Sequence, residues 1–145
     1  MALTRSDIVR GLKRIGELAQ ERGTEVELSL VGGAVQALVY RSRDITRDVD
    51  CVFIARQETR IARQLAGIVA NEEDWPLDWL NDGPIGFVTR RDQLKDGRVI
   101  LKKPGIVVRV PKTEQLLAMK LMAWRSDIDI ADAALLLKET VRENS

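Results

Sequence analysis

The sequence predicts an α+β (mixed α/β) fold: a mixed β-sheet flanked by helices, with a helical pair at its C-terminal end. Three observations predict it. Short segments alternate apolar and polar residues with period two, and segments of helical periodicity separate them. Val99-Ile100-Leu101 and Ile106–Val110 flank Lys102-Lys103-Pro104-Gly105, a hairpin signal. At 145 residues the chain is expected to form one domain, 1–145, with a sheet-bearing part over 1–112 and helices over 113–145.

Taken in order, Thr4 and Asp7 form a capping-box pattern with Asp in place of Glu, opening a helix to about Arg22. Its buried face carries Ile8, Leu12, Ile15 and Leu18-Ala19, and Gly23 ends it. Val26, Leu28 and Leu30 alternate with Glu27 and Ser29 as a strand, which Gly32-Gly33 breaks. Ala34–Arg41 is a short helix, Arg41-Ser42-Arg43-Asp44 a loop, and Asp48–Ile54 the next strand. Gln57–Ala70 has helical spacing at Ile61, Leu65 and Ile68-Val69, and Asn71–Pro76 is assigned to loop. Leu77–Asn81 is too brief to distinguish helix from strand, and Ile85–Val88 is assigned to strand. After the hairpin come two helices, about Thr113–Trp124 and about Ile128–Arg142.

Composition narrows the chemistry. With 45% hydrophobic and 31% charged residues the chain falls among ordinary globular proteins, and only 4% aromatics leave a core mostly of Leu, Val, Ile and Ala. A net charge of +1 gives no bulk attraction to nucleic acid or anionic lipid. The absence of histidine removes His general bases, Ser-His-Asp triads and His-containing zinc sites. Carboxylates, Lys, Arg and a borrowed metal remain. Cys51 has no disulfide partner and is expected to be a buried, inert thiol in a reducing compartment. The N-terminus lacks an apolar signal core and no run reaches membrane-spanning length, so a cytoplasmic protein with no membrane association is expected.

Asp48 and Asp50 carry the most chemistry. On a strand they face the same way, roughly 6.5–7 Å apart at their α-carbons, while Val49, Cys51 and Phe53 face the opposite, buried side. Neighbouring carboxylates repel, and a divalent cation neutralises them; oxygen-only ligation suits Mg²⁺ or Mn²⁺. An isolated Asp-x-Asp is more often structural, and a lone Gly-Gly is more often a plain tight turn. Together, on consecutive strands, they make a phosphate cradle beside a metal site, since Gly32 and Gly33 leave the backbone N–H groups open to a phosphate.

These segments resemble the minimal nucleotidyltransferases of the DNA polymerase β-like superfamily, and most of all bacterial proteins related to abortive-infection AbiEii and MenT-type toxins and their uncharacterised relatives. The resemblance rests on Leu30-Val31-Gly32-Gly33, on Thr46-Arg47-Asp48-Val49-Asp50, and on Leu116-Leu117-Ala118-Met119-Lys120-Leu121 followed by Arg125, Asp127, Asp129 and Asp132. It spans about Leu28–Leu137. It implies a nucleotidyltransferase-like sheet and transfer of a nucleotidyl group from an NTP, with Mg²⁺ (or Mn²⁺) on Asp48 and Asp50. The Met119-Lys120-Leu121 match makes Lys120 a triphosphate contact; Gly32, Gly33 and Arg47 are the other expected nucleotide contacts, and Asp129 is expected to orient Lys120 or the acceptor. The acceptor would be tRNA or a protein hydroxyl, and a cognate antitoxin a partner.

Periodicity alone lets Lys120 snorkel outward from the Leu117, Leu121 and Trp124 stripe, and makes Asp129 and Asp132 helix N-terminal charge. Arg41, Arg43 and Arg47 are solvated loop residues or phosphate contacts. One departure from the pattern concerns the third carboxylate that fully equipped members carry on a nearby strand. The hairpin strands have none, which leaves Asp78 and Asp82 as substitutes. A non-catalytic module that binds nucleotide, RNA or a partner protein is the alternative, and a scaffold with structural acids is a third.

Overall fold

A computed structural model describes residues 2–35, 38–39, 45–46, 48–82, 91–115, 117 and 127–143 of the chain. The elements run β1 (Leu3–Thr4), α1 (Arg5–Glu21), β2 (Val26–Val31), α2 (Gly33–Val35), β3 (Ile45–Thr46), β4 (Val49–Phe53), α3 (Thr59–Glu73), β5 (Leu80–Asn81), β6 (Arg98–Lys103), β7 (Ile106–Val110) and α4 (Asp127–Glu143). Five strands form one mixed sheet in the order β5-β4-β2-β7-β6. β2 lies at its centre, antiparallel to β4 and parallel to β7. β5 joins β4 in parallel and β6 joins β7 as an antiparallel hairpin. A second, two-stranded sheet pairs β1 with β3. The expected α+β class is what forms.

α1 begins as its sequence specifies. The Thr4 hydroxyl accepts from the Asp7 N–H at 3.2 Å while the Asp7 carboxylate accepts from the Thr4 N–H at 2.9 Å, so two otherwise orphaned donors are satisfied. Ile8, Leu12, Ile15, Leu18 and Ala19 are all buried. They meet one face of the sheet, built from Val26, Leu28 and Leu30, from Val49, Cys51 and Phe53, and from Ile106, Val108 and Val110. Ala62, Leu65, Ala66 and Val69 of α3 close the same core.

One expectation is corrected here. α3 does not stop at Ala70 but runs to Glu73, because its last turn is held to α1: Glu73 accepts from Arg10 at 2.9 and 3.0 Å, and Glu72 from Arg14 at 2.9 and 3.0 Å. Asp74 then takes a left-handed backbone (φ 60°), as a short polar residue tolerates. The core is mostly aliphatic, as expected, and two tryptophans join it. Trp75 and Trp79 are buried edge to face with ring centroids 5.0 Å apart, and the Trp79 indole N–H donates to the Ala66 carbonyl at 2.9 Å. Gly11 makes the room: a Cβ there would lie 2.7 Å from the Trp79 ring.

On the other face of the sheet Ser29, Val31, Val52 and Val107 are buried. Leu94, in the 3-10 turn Arg91–Asp96, packs on Val52 and Ile54, and Arg109 bridges Glu27 at 2.7 Å and the Gly97 carbonyl at 3.0 Å. Ile85–Val88 and most of Thr113–Trp124 lie outside the described residues. The final helix, expected over Ile128–Arg142, is α4.

Candidate functional site

The end of β2 lies beside the start of β4 in the sheet. Because β2 and β4 are antiparallel, Val31 at the end of one stands opposite Asp50 near the start of the other. The next residue, Gly32, turns the chain with φ +65° and accepts from the Val35 N–H at 3.1 Å, starting α2 at Gly33. Glycine is required here twice over. Its backbone angle disfavours any L side chain, and a Cβ would sit 2.8 Å from Oδ2 of Asp50. The glycine turn and the acid, read from the sequence as neighbours, are in direct juxtaposition.

Asp50 is flanked on its other side by β5. The parallel register places Asn81 opposite Asp50, and the Asn81 side-chain amide donates to Oδ1 at 3.4 Å. β5 is held against β4 by the Val49 N–H, which donates to the Trp79 carbonyl at 2.6 Å. Trp79 thus ties the acid-bearing strand to the core through both its backbone and its indole. Val49, Cys51 and Phe53 face the core as expected. The strand is one residue shorter at each end than the sequence indicates, so Asp48 leads into it rather than lying within it; Asp48 and Asp50 are both half-buried. Burial holds the Cys51 thiol well above its ordinary pKa, with the charges of Asp82 and Asp50 adding to the effect. It is a neutral thiol in the core, as its place in the strand predicts.

Asp82 is engaged elsewhere: Arg63 of α3 donates to its Oδ2 at 2.6 and 3.2 Å. Asp78 lies exposed in the turn before β5. Gly33 opens α2, and Asp129 lies in the first turn of α4. Arg47 and Lys120 lie outside the described residues, as do Arg41, Arg43 and Arg125.

Asn81 is the residue that sequence reasoning missed. The signal was its phase with Leu80: if Leu80 faces the core, its neighbour in a strand faces the acids. Leu80 is indeed buried and stands opposite Val49. The missing information was that Leu80-Asn81 forms a strand at all, and that its partner is β4.

The donor chemistry fits a hard cation in part. Asp48 and Asp50 bring carboxylate oxygens, the donor type that Mg²⁺ and Mn²⁺ prefer, and the carboxylate of Asp50 lies against the Gly32 turn. Among the described residues no group of three or more Cys, Asp or Glu gathers as a metal cage. A cation there would complete its shell with water and substrate phosphate, as Mg²⁺ commonly does. Two surface grooves lie away from this site, one between α1 and α3 and one between the end of β7 and the last turns of α4.

A mixed sheet with a glycine turn on its central strand and an acid on the adjoining one defines a nucleotidyltransferase-like α+β fold. Comparison with protein families agrees. The model of a family described as nucleotidyl transferase of unknown function (DUF2204) matches residues 8–95, more than half of the chain, and the chain belongs to this family. The matched span takes in Gly32, Gly33, Asp48, Asp50 and Asn81 and stops before β6. Comparison with curated proteins and with solved structures gives no match.

Proposed function

We propose that this chain transfers a nucleotidyl group from an NTP to an RNA (tRNA) or protein acceptor, with Mg²⁺ or Mn²⁺ held by Asp48 and Asp50. The observation that carries the reading is the contact between Gly32 and the Asp50 carboxylate, within the span of a nucleotidyl transferase family match. Such an arrangement brings an acid and an open backbone to one point, which is what a metal-bound triphosphate needs. The backbone N–H groups of Gly32 and Gly33 would receive phosphate oxygens, because glycine has no side chain of its own to stand in the way. Asp48 and Asp50 would hold the cation, which would offset their repulsion of the phosphates. When bound, the cation supplies charge neutralisation on the transferring phosphoryl group and on the pyrophosphate leaving group. Arg47 and Lys120 would pair with the triphosphate, and Asp129 would orient Lys120 or the acceptor.

The closeness to AbiEii and MenT-type toxins, a cognate antitoxin partner and a cytoplasmic site of action belong to this proposal. Among the described residues no helix is long and apolar enough to cross a membrane. A second reading, a catalytically inactive module that binds nucleotide, RNA or a partner protein, draws on Asn81, a neutral amide beside Asp50, and on Asp82, engaged by Arg63.

The test incubates the protein with each labelled NTP, Mg²⁺ or Mn²⁺, and total tRNA or lysate. Metal-dependent labelling that Asp48→Ala abolishes is the expected result. Metal-dependent NTP binding without labelling selects the inactive module, and neither labelling nor binding overturns the site.

A further inference from the structure

Asn81 is the polar neighbour of Asp50 across the β4–β5 ladder, and three features fix where it stands. The short bond from the Val49 N–H to the Trp79 carbonyl sets the register of β5 on β4. The residue after it, Asp82, is fastened to α3 by two bonds from Arg63. The residue before it, Leu80, is buried in the core opposite Val49. Held from both sides, Asn81 presents its amide to Oδ1 of Asp50 at 3.4 Å, while Oδ2 of the same carboxylate lies against Gly32. The two oxygens of one carboxylate thus face different elements.

We propose that Asn81 is the positioning residue of this site: its amide holds Oδ1 of Asp50 so that Oδ2 stays at the Gly32 turn, where a divalent cation would be held. The inference rests on the reading of Asp50 as a cation ligand and deepens it. An amide donor in this place orients a carboxylate without competing for the cation's charge. An acid would repel Asp50 until a cation arrived. Asn81 therefore sets the site as a two-carboxylate one, with weaker cation retention than a three-carboxylate site and a correspondingly larger share of ligation left to substrate phosphate.

The experiment titrates Mn²⁺ into the full chain and into Asn81→Ala and Asn81→Asp, by calorimetry and by the electron paramagnetic resonance of free Mn²⁺. Partners that orient a metal ligand typically change affinity 10–100-fold when lost. At a separation of 3.4 Å the lower end is expected, about tenfold weaker binding in Asn81→Ala. Asn81→Asp is expected to bind Mn²⁺ more tightly than the unaltered chain, an outcome that a merely structural asparagine would not produce. Equal affinity in the unaltered chain and Asn81→Ala overturns the proposal.

A second readout needs no metal. In the unaltered chain the Asn81 side-chain amide signals are followed by ¹⁵N–¹H NMR and compared with those of Asp50→Ala. Displaced signals with faster hydrogen exchange in the variant support the positioning contact, and unchanged signals overturn it. If the unaltered chain binds no Mn²⁺, the metal reading of Asp50 fails and the NMR comparison alone decides the Asn81 contact.

Discussion

Alanine at Gly32 and, separately, at Gly23 distinguishes what the backbone requires of glycine from what Asp50 requires of it. The two residues have nearly the same left-handed backbone, φ +65° at Gly32 and +66° at Gly23. An L side chain in that region costs about 1–2 kcal/mol. Both variants should therefore lose that much stability, a fall in Tm of roughly 2–4 °C per kcal/mol for a chain of this size. Their surroundings differ. Nothing lies within 4 Å of a Cβ at Gly23, whereas a Cβ at Gly32 meets Oδ2 of Asp50 at 2.8 Å and Cβ of Asp50 at 3.4 Å. The atom in the way is the far end of a side chain, which turns aside more cheaply than backbone does, so this second cost falls on the site and not on the fold. The assay pairs urea unfolding with Mn²⁺-dependent NTP binding. Similar unfolding losses are expected in both variants, with binding weakened about tenfold or more in Gly32→Ala alone. The reasoning is refuted if Gly32→Ala binds as the unaltered chain does, or if Gly23→Ala weakens binding equally.

Three further outcomes follow from the charges and the core. The Asp7 carboxyl is held below its ordinary pKa, chiefly by the Thr4 N–H; its contribution is present above the unfolded value of about 3.9 and is lost as pH falls through the lower folded value. Asp7→Asn should be less stable than the unaltered chain at pH 7, and the gap should narrow in urea titrations at pH 3 and below. Glu58 has the opposite sign: burial raises its pKa, so the folded state favours the protonated form and Glu58→Gln should gain stability at pH 7, a gain that disappears below the unfolded value of about 4.3. Cys51 is fully buried with its thiol pushed well above the ordinary value, so a chromogenic disulfide reagent at pH 8 should label it only at the rate at which the chain opens; prompt labelling of native protein would contradict the packing of β4.

Much of the fold was legible because local rules and tertiary packing agree. The Thr4–Asp7 cap, the apolar face of α1, the β2 strand with Val26, Leu28 and Leu30 in the core, and the Pro104-Gly105 hairpin each depend on residues close in sequence, and all are present. The end of α3 was not legible, because Glu72 and Glu73 look like loop until Arg14 and Arg10 of α1 are brought beside them. The tryptophan pair was hidden for a related reason: a low aromatic content says nothing about where the few aromatics go, and Gly11 makes their space from a different helix.

At the site, Gly32 and Asp50 were read as neighbours because both sit at the ends of consecutive strands, where antiparallel pairing brings them together. Asn81 was not, since two residues carry too little periodicity to declare a strand, and the parallel pairing of β5 with β4 is set by Trp79 and Leu80 in the core. Of the two acids that the sequence offered as substitutes, Asp82 is bound by Arg63 and Asp78 is exposed, and it is Asn81 that stands beside Asp50.

The central claim, nucleotidyl transfer at Asp48 and Asp50, is tested most directly by the position of the label in the NTP. Protein, Mn²⁺ and total RNA or lysate are incubated with NTP labelled at the α-phosphate or at the γ-phosphate, in parallel with Asp48→Ala and Asp50→Ala. The account predicts that α label enters RNA or protein, that γ label leaves as pyrophosphate, and that both variants abolish the transfer. Incorporation of γ label, or α-label transfer that survives in either variant, would contradict it.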